Sequence, residues 1–187
     1  MSDEVEKNKE LCNRYPFLIP RNVWTDEIVE DYDYSWTLAD DVDSGWKKLF
    51  LQMCEDILEP LTKANYLNKF RFTQIKEKYG TLRCYNNGAP DEVHKIIYKY
   101  EYMSQFVCIE CGSTDAQEYD DGWVCPYCKD CFSKKKIHQD KAKEELDKYI
   151  VGKKFQPTFI ITKYLPGGIE EQKTIDVSNE WRRLNDQ

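Results

Sequence analysis

The stretch CIECGSTDAQEYDDGWVCPYCKDC, residues 108–131, decides how this chain is read. It holds five of the eight cysteines within 24 residues. Cys108 and Cys111 make one CxxC pair, and Cys125, Cys128 and Cys131 make an overlapping CxxCxxC. Two such pairs on either side of a short insert supply the tetrahedral thiolate set that a zinc ion takes. Each pair bends the backbone around the ion, and the two close it from opposite sides. Gly112 lets the chain turn beneath the first pair.

The residues after Cys131 have helical spacing, with Ile137, Ala142, Leu146 and Tyr149 three to five apart and Ile150 next to the last. Cys128 and Cys131 then fall at i and i+3 in the first helical turn, on one face, where the helix N-terminus favours thiolates. A β-hairpin is expected between the pairs, from 117–119 and 123–125, turning at Asp120-Asp121-Gly122. Knuckle, hairpin and helix make a treble-clef or zinc-ribbon-like module built on four cysteines. The preferred ligands are Cys108, Cys111, Cys128 and Cys131, because Pro126 suits the start of a helix. The competing set exchanges Cys131 for Cys125.

Sharper chemistries fit these cysteines less well. Cys125-Pro-Tyr-Cys128 has the form of a redox motif, but such motifs follow a buried apolar strand, and here Asp120-Asp121-Gly122 comes just before. A zinc deaminase needs H-x-E, which neither His94 nor His138 begins, and a Pro-Cys dipeptide, which the chain lacks. A His-Asn-His nuclease needs a histidine beside the metal hairpin, and none lies between the cysteine pairs. Four thiolates leave no open coordination position, so the expected Zn2+ is structural and the protein is not expected to be an enzyme.

With 187 residues, 41% hydrophobic and 14% aromatic, the chain can bury a core of moderate size. Its formal charge is −7, and a zinc tetrathiolate adds about −2. That balance argues against nucleic-acid binding by the whole surface and leaves a local basic face open. Residues 1–11 are charged and are expected to fray, with no leader pattern and no run of spanning length. Cys12, Cys54 and Cys84 are scattered singly, as reduced cytosolic thiols are.

The remainder reads as a small mixed α+β domain of β-hairpins and helices. Cys12 to Pro20 is expected to be extended, being bracketed by prolines. A helix over 45–59 carries the stripe Trp46, Leu49, Phe50, Met53, Ile57, Leu58 and Leu61, and Pro60 should end or bend it. Strands over 70–79 and 81–85 turn near Gly80, with Arg71, Lys76, Lys78 and Arg83 on the outer side. A second helix runs from Asp91 to about Gln105. After the zinc helix, strands over 155–164 and 169–177 form a hairpin across Leu165-Pro-Gly-Gly168, and Ser178 caps a last short helix. The divisions are a body over 12–106, the four-cysteine zinc module over 107–151, and a C-terminal hairpin with short helix over 152–187.

Two charged segments bear on partners. Residues 22–46 hold eight acids and no Lys or Arg: Asp26, Glu27, Glu30, Asp31, Asp33, Asp40, Asp41 and Asp43. Trp24, Tyr32, Tyr34, Trp36 and Trp46 are interleaved with them. The segment is either a solvated loop pinned by aromatics or a docking surface for a basic partner. Residues 132–154 hold eight lysines against four acids. There Lys134, Lys135, Lys136, Lys141 and Lys143 could form a nucleic-acid face.

CNRYPFLIPRN, EDYDYSWT, TQIKEKYGTLRCYNNGAP, and CIECG with PYCKDC together resemble a group of small zinc-containing proteins encoded in phages and prophages. The resemblance covers roughly residues 12–131. It extends to type II anti-CRISPR proteins, inhibitors of Cas9. It implies stoichiometric binding to Cas9 or the Cas9–guide RNA complex in the cytoplasm of the bacterial host, blocking target DNA loading or cleavage. The alternative is a zinc-stabilised nucleic-acid-binding phage accessory protein using the basic helix.

Overall fold

The computed structural model describes residues 3–22, 24–120, 122–152, 158–165 and 168–176, with side chains described as far as residue 145. Two compact units divide the chain, Met1–Lys135 and Lys136–Gln187. The architecture is α+β: four α-helices and three two-stranded antiparallel hairpins among the described residues. No helix among them is long and apolar enough to cross a membrane.

The N-terminal stretch is a helix, α1 (Asp3–Arg14), rather than a frayed end followed by extended chain. Asp3, Glu4 and Glu6 in its first turn and Arg14 in its last both suit the helix dipole. Cys12 is buried at 1% exposure, so the helix is held by packing. Pro16 then opens a 3-10 turn, Pro16–Leu18, where its missing N–H costs nothing, and Phe17 and Leu18 become fully buried. Phe17 meets Phe70 and Phe72 edge-on, with centroids 5.4 and 5.5 Å apart.

Helix α2 (Lys47–Lys63) carries the expected stripe: Trp46 just before it, then Phe50, Met53, Ile57 and Leu61, all at 0% exposure. It continues through Pro60 instead of stopping there. Pro60 sits in the last turn, so the ladder loses one bond near its end. The Pro60 carbonyl still accepts the Ala64 N–H, and Thr62 Oγ1 donates to the Leu58 carbonyl.

Strands β1 (Phe72–Lys78) and β2 (Thr81–Asn86) pair as expected, with Ile75 opposite Cys84. Their two-residue turn, Tyr79-Gly80, has φ of 52° and 73°, the positive pair that matches strand twist. The outer edge of β2 is covered by helix α3 (Asp91–Met103) and the turn after it. Glu101 Oε1 accepts the Cys84 N–H at 2.7 Å, and Ser104 Oγ accepts the Leu82 N–H at 2.9 Å. Side chains thus satisfy an edge that would otherwise be left unpaired in the interior.

The basic side of this hairpin does not form one face. Arg83 turns to Glu101 at 3.5 Å. Lys76 and Lys78 lie over the Tyr85 and Tyr79 rings. Arg71 donates to the Phe70 and Asn68 carbonyls.

In the first unit, β3 (Gln117–Asp120) pairs with β4 (Val124–Tyr127), Tyr119 lying opposite Cys125. Pro126 belongs to β4, not to a helix start. Its carbonyl accepts the Ile109 N–H at 3.0 Å, and on so short a ribbon a missing N–H is tolerated. Helix α4 (Lys129–Gly152) follows. In the second unit, β5 (Thr158–Leu165) and β6 (Gly168–Asp176) pair with Phe159 opposite Ile175. The short helix expected from Ser178 lies outside the described residues.

Candidate metal centre

The first CxxC is shaped by backbone bonds. Gly112 N–H returns to the Cys108 carbonyl at 2.9 Å, and Cys108 N–H donates to the Ser113 carbonyl at 2.8 Å. Gly112 takes φ of +77°, which L side chains rarely adopt. The second pair straddles the start of α4. The Cys128 carbonyl accepts the Phe132 N–H at 3.0 Å, the first helical bond, which places Cys131 in the opening turn. Tyr119 of β3 stacks on Phe132 of α4 at 3.8 Å between centroids, fixing hairpin against helix.

The sulfurs of Cys108, Cys111, Cys128 and Cys131 all lie within 4.8 Å of one another. Cys111 Sγ and Cys128 Sγ stand 3.7 Å apart. A tetrahedron with zinc–sulfur bonds of about 2.3 Å has sulfur–sulfur edges of about 3.8 Å. The donor set is therefore compatible with a metal ion such as zinc. Cys108 and Cys128 are buried, Cys131 half-buried and Cys111 exposed, so the site lies at the rim of the fold.

The electrostatics of the four thiols are mixed, with Cys108 lowered and Cys111 and Cys131 raised. Burial opposes ionisation of Cys108, yet backbone N–H groups of Cys111, Cys128 and Glu110 hold its thiol down to about 7. Cys131 is pushed up, first by desolvation and then by hydrogen bonds to the other three sulfurs. Four sulfurs this close cannot all carry negative charge unless a cation sits among them.

Cys125 is not in this group. It is buried at 3% exposure, and burial raises its thiol to about 11, as for an inert core cysteine. Spacing left Cys125 and Cys131 as rivals. The tertiary fold separates them, because the Cys131 sulfur joins those of Cys108, Cys111 and Cys128 while Cys125 stays in β4.

The knuckle is docked on the body. Gly45 N–H donates to the Ile109 carbonyl at 2.8 Å, Ser44 Oγ to the Glu110 carbonyl at 2.7 Å, and Trp46 Nε1 to the Val107 carbonyl at 2.8 Å. Trp123 Nε1 reaches Glu77 Oε2 at 3.0 Å from the hairpin side.

The eight acids of 22–46 are all exposed, and they fall into two sets. Asp26, Glu27, Glu30, Asp31 and Asp33 lie on an irregular outer loop in which Asp26, Asp31 and Tyr34 take positive φ. Trp24 on the same loop is 93% exposed. Asp40, Asp41 and Asp43 lie at the approach to α2, where Asp40 serves the fold. Asp40 Oδ2 accepts the Thr37 N–H at 2.8 Å in a capping box, and Asp40 Oδ1 pairs with Lys47 at 3.6 Å. Desolvation, then repulsion from a neighbouring carboxylate, raises Asp41 and Asp43.

On α4, Lys134, Lys136, Lys141 and Lys143 are exposed among the equally exposed Asp140, Glu144 and Glu145. Lys135 lies over the Tyr127 ring at 4.7 Å. Comparison with protein-family models, with curated proteins and with solved structures returns no match for this chain.

Proposed function

We propose that the protein is a zinc-stabilised binding protein that docks stoichiometrically on Cas9 or the Cas9–guide RNA complex. The consequence is that target DNA is not loaded or not cleaved. The zinc is held by Cys108, Cys111, Cys128 and Cys131 and is structural, since four thiolates leave no position for water or substrate. The reading of the partner rests on the motif resemblance together with one feature of the surface. Trp24, almost wholly exposed, stands on a loop with five carboxylates, none of them in an ion pair among the described residues.

An exposed tryptophan ringed by acids has the make-up of an interface anchor for a basic surface. Cas9 offers such a surface where it holds heteroduplex and displaced strand in positive channels. A folded acidic loop competes there by charge and by occlusion. The interspersed acids on α4 weaken the alternative of a lysine face for nucleic acid.

The test uses the full chain with Cas9–guide complex. Wild type should co-elute one to one and protect a target duplex from cleavage. A variant combining Trp24→Ala with Glu27→Lys and Glu30→Lys, which leaves the positive-φ residues Asp26 and Asp31 in place, should melt like wild type and bind roughly a hundredfold more weakly. Failure of wild type to bind or protect overturns the proposal. Binding to duplex alone, with a steep salt slope, would favour the nucleic-acid reading.

A further inference from the structure

Tyr79 sits at the tip of the β1–β2 hairpin with φ of 52°, a value that suits Asn or Gly and strains a tyrosine. Packing does not offset the strain, because the residue is 79% exposed. Trp123, in the turn between β3 and β4, is 64% exposed. The two hairpin tips touch: a Cβ added to Gly80 would stand 3.4 Å from the Val124 carbonyl oxygen. Glu77 ties them together. Its Oε1 accepts the Gly80 N–H at 2.7 Å, and its Oε2 accepts the Trp123 Nε1–H at 3.0 Å. Two open rings are thus held in place and line one cleft of about 560 Å3.

The hairpin beside this cleft carries charge of one sign on one side. Directly paired residues share a face, which puts Lys76, Lys78, Arg83 and Tyr85 on one side and Ile75, Glu77, Leu82 and Cys84 on the other. No carboxylate of the paired stretch lies on the first side. Arg83 is drawn to Glu101, whereas Lys76 and Lys78 have no ion pair among the described residues. Both lysines line the cleft, Lys76 over the Tyr85 ring and Lys78 over the Tyr79 ring. Glu77 is the one carboxylate among the described lining residues, and its two oxygens are engaged by N–H donors. Two lysines against one glutamate leave the lining net positive.

Open aromatic faces beside unpaired ammonium groups suit a flexible polyanion that carries flat rings. Bases stack on aromatic side chains whatever their identity, and phosphates meet the ammonium groups. A duplex hides its base faces and offers nothing to stack. An acidic peptide would meet the lysines without using two open rings. We propose that this strip binds single-stranded nucleic acid, with bases on Tyr79 and Trp123 and backbone phosphates at Lys76 and Lys78. It shares no residue with the acidic loop or with the lysines of α4, so it is independent of the docking proposed above.

The test measures binding of the full chain, purified in zinc, to a labelled oligothymidine of about ten nucleotides by fluorescence anisotropy across a salt series. Trp123→Ala and Tyr79→Asn should each weaken binding at least roughly fivefold, the loss of one stacked base. Tyr79→Asn should also melt no lower than wild type, because Asn suits the turn, and a ring kept for folding would give the reverse. Trp123→Phe keeps a ring without the bond to Glu77 and should retain most of the affinity. Lys76→Gln with Lys78→Gln should flatten the slope of log affinity against log salt by about 1.4, the value for two contacts on a single strand. Thermal melting checks the fold of each variant. Absence of binding at millimolar protein, or undiminished binding in both Trp123→Ala and Tyr79→Asn, would overturn the site. Equal binding of a duplex or of an oligoglutamate peptide would show that charge alone is read and would overturn the single-strand assignment.

Discussion

Gly45 and Gly112 meet backbone against backbone. A Cβ added to Gly45 would stand 2.0 Å from the Cys108 carbonyl oxygen and 2.7 Å from the Gly112 nitrogen; one added to Gly112 would stand 2.8 Å from the Gly45 carbonyl oxygen. These two residues lie where the approach to α2 presses on the metal knuckle, and Gly45 N–H is already bonded to Ile109 there. The atoms in the way are backbone, so no rotamer change relieves the clash.

Gly45→Ala should therefore cost about 3 kcal/mol or more, at the upper end of overpacking effects. Gly112→Ala combines a similar contact with a positive φ and should fall in the same range. Urea denaturation of both variants in zinc checks this. A loss below about 1 kcal/mol for Gly45→Ala would show that the knuckle is not seated on the body as described.

The metal set has its own separable outcome. Cys131→Ser should release the ion and lower stability by at least about 3 kcal/mol, because binding and folding are coupled. Cys125→Ala should keep one zinc per chain and lose only packing, about 1 kcal/mol. Elemental analysis of purified variants decides between them. Zinc retained by Cys131→Ser and lost by Cys125→Ala would reverse the assignment.

The sequence shows some of this more readily than the rest. Regular periodicity marks α2, the β1–β2 hairpin and α3, because each buries one stripe or one side. Cysteine spacing marks the metal set, because coordination geometry depends on local separation. What spacing cannot show is long-range polar pairing. Glu101 reads as one more charged helix residue, yet it is buried at 8% exposure beneath β2, 17 residues away from the N–H it accepts. Arg71 reads as part of a basic strand and Arg21 as part of no element, and only the tertiary fold sets them on one cavity. The N-terminal helix is hidden for another reason: its residues are mostly polar, and burial of Cys12 among later elements carries it.

Glu101 yields a prediction of its own. Replacing it with Ala leaves the Cys84 N–H buried without an acceptor and Arg83 without its partner. The expected loss is about 2 kcal/mol. Glu101→Gln, which keeps an acceptor oxygen, should recover more than half. Hydrogen exchange at Cys84 gives a local readout, and protection there should fall in Glu101→Ala far more than at Ile75. Equal destabilisation by Ala and Gln would mean that charge, not the acceptor, is what Glu101 supplies.

Acid sensitivity follows from Tyr100 and Asp56. The Tyr100 hydroxyl donates to Asp56 Oδ2 at 2.6 Å, Gln52 adds a bond at 3.0 Å, and Lys99 stands 3.9 Å away. These donors, Tyr100 first, hold the Asp56 carboxyl below its ordinary value of 3.8. A carboxyl whose pKa is lowered by folding contributes stability that is complete above its unfolded value. That contribution disappears as pH falls through the folded value, so acid destabilises. Tyr100→Phe removes the leading donor without changing the packing volume much, and near neutral pH it should cost about 1 kcal/mol. The difference from wild type should begin to shrink as pH falls towards the ordinary carboxyl value of 3.8 and go on shrinking as pH falls through the lower folded value. Loss of metal in acid affects both proteins alike and cancels in the comparison. Paired urea melts at neutral and acid pH test the claim, and a difference that stays constant with pH would show that the hydroxyl acts through something other than the Asp56 charge.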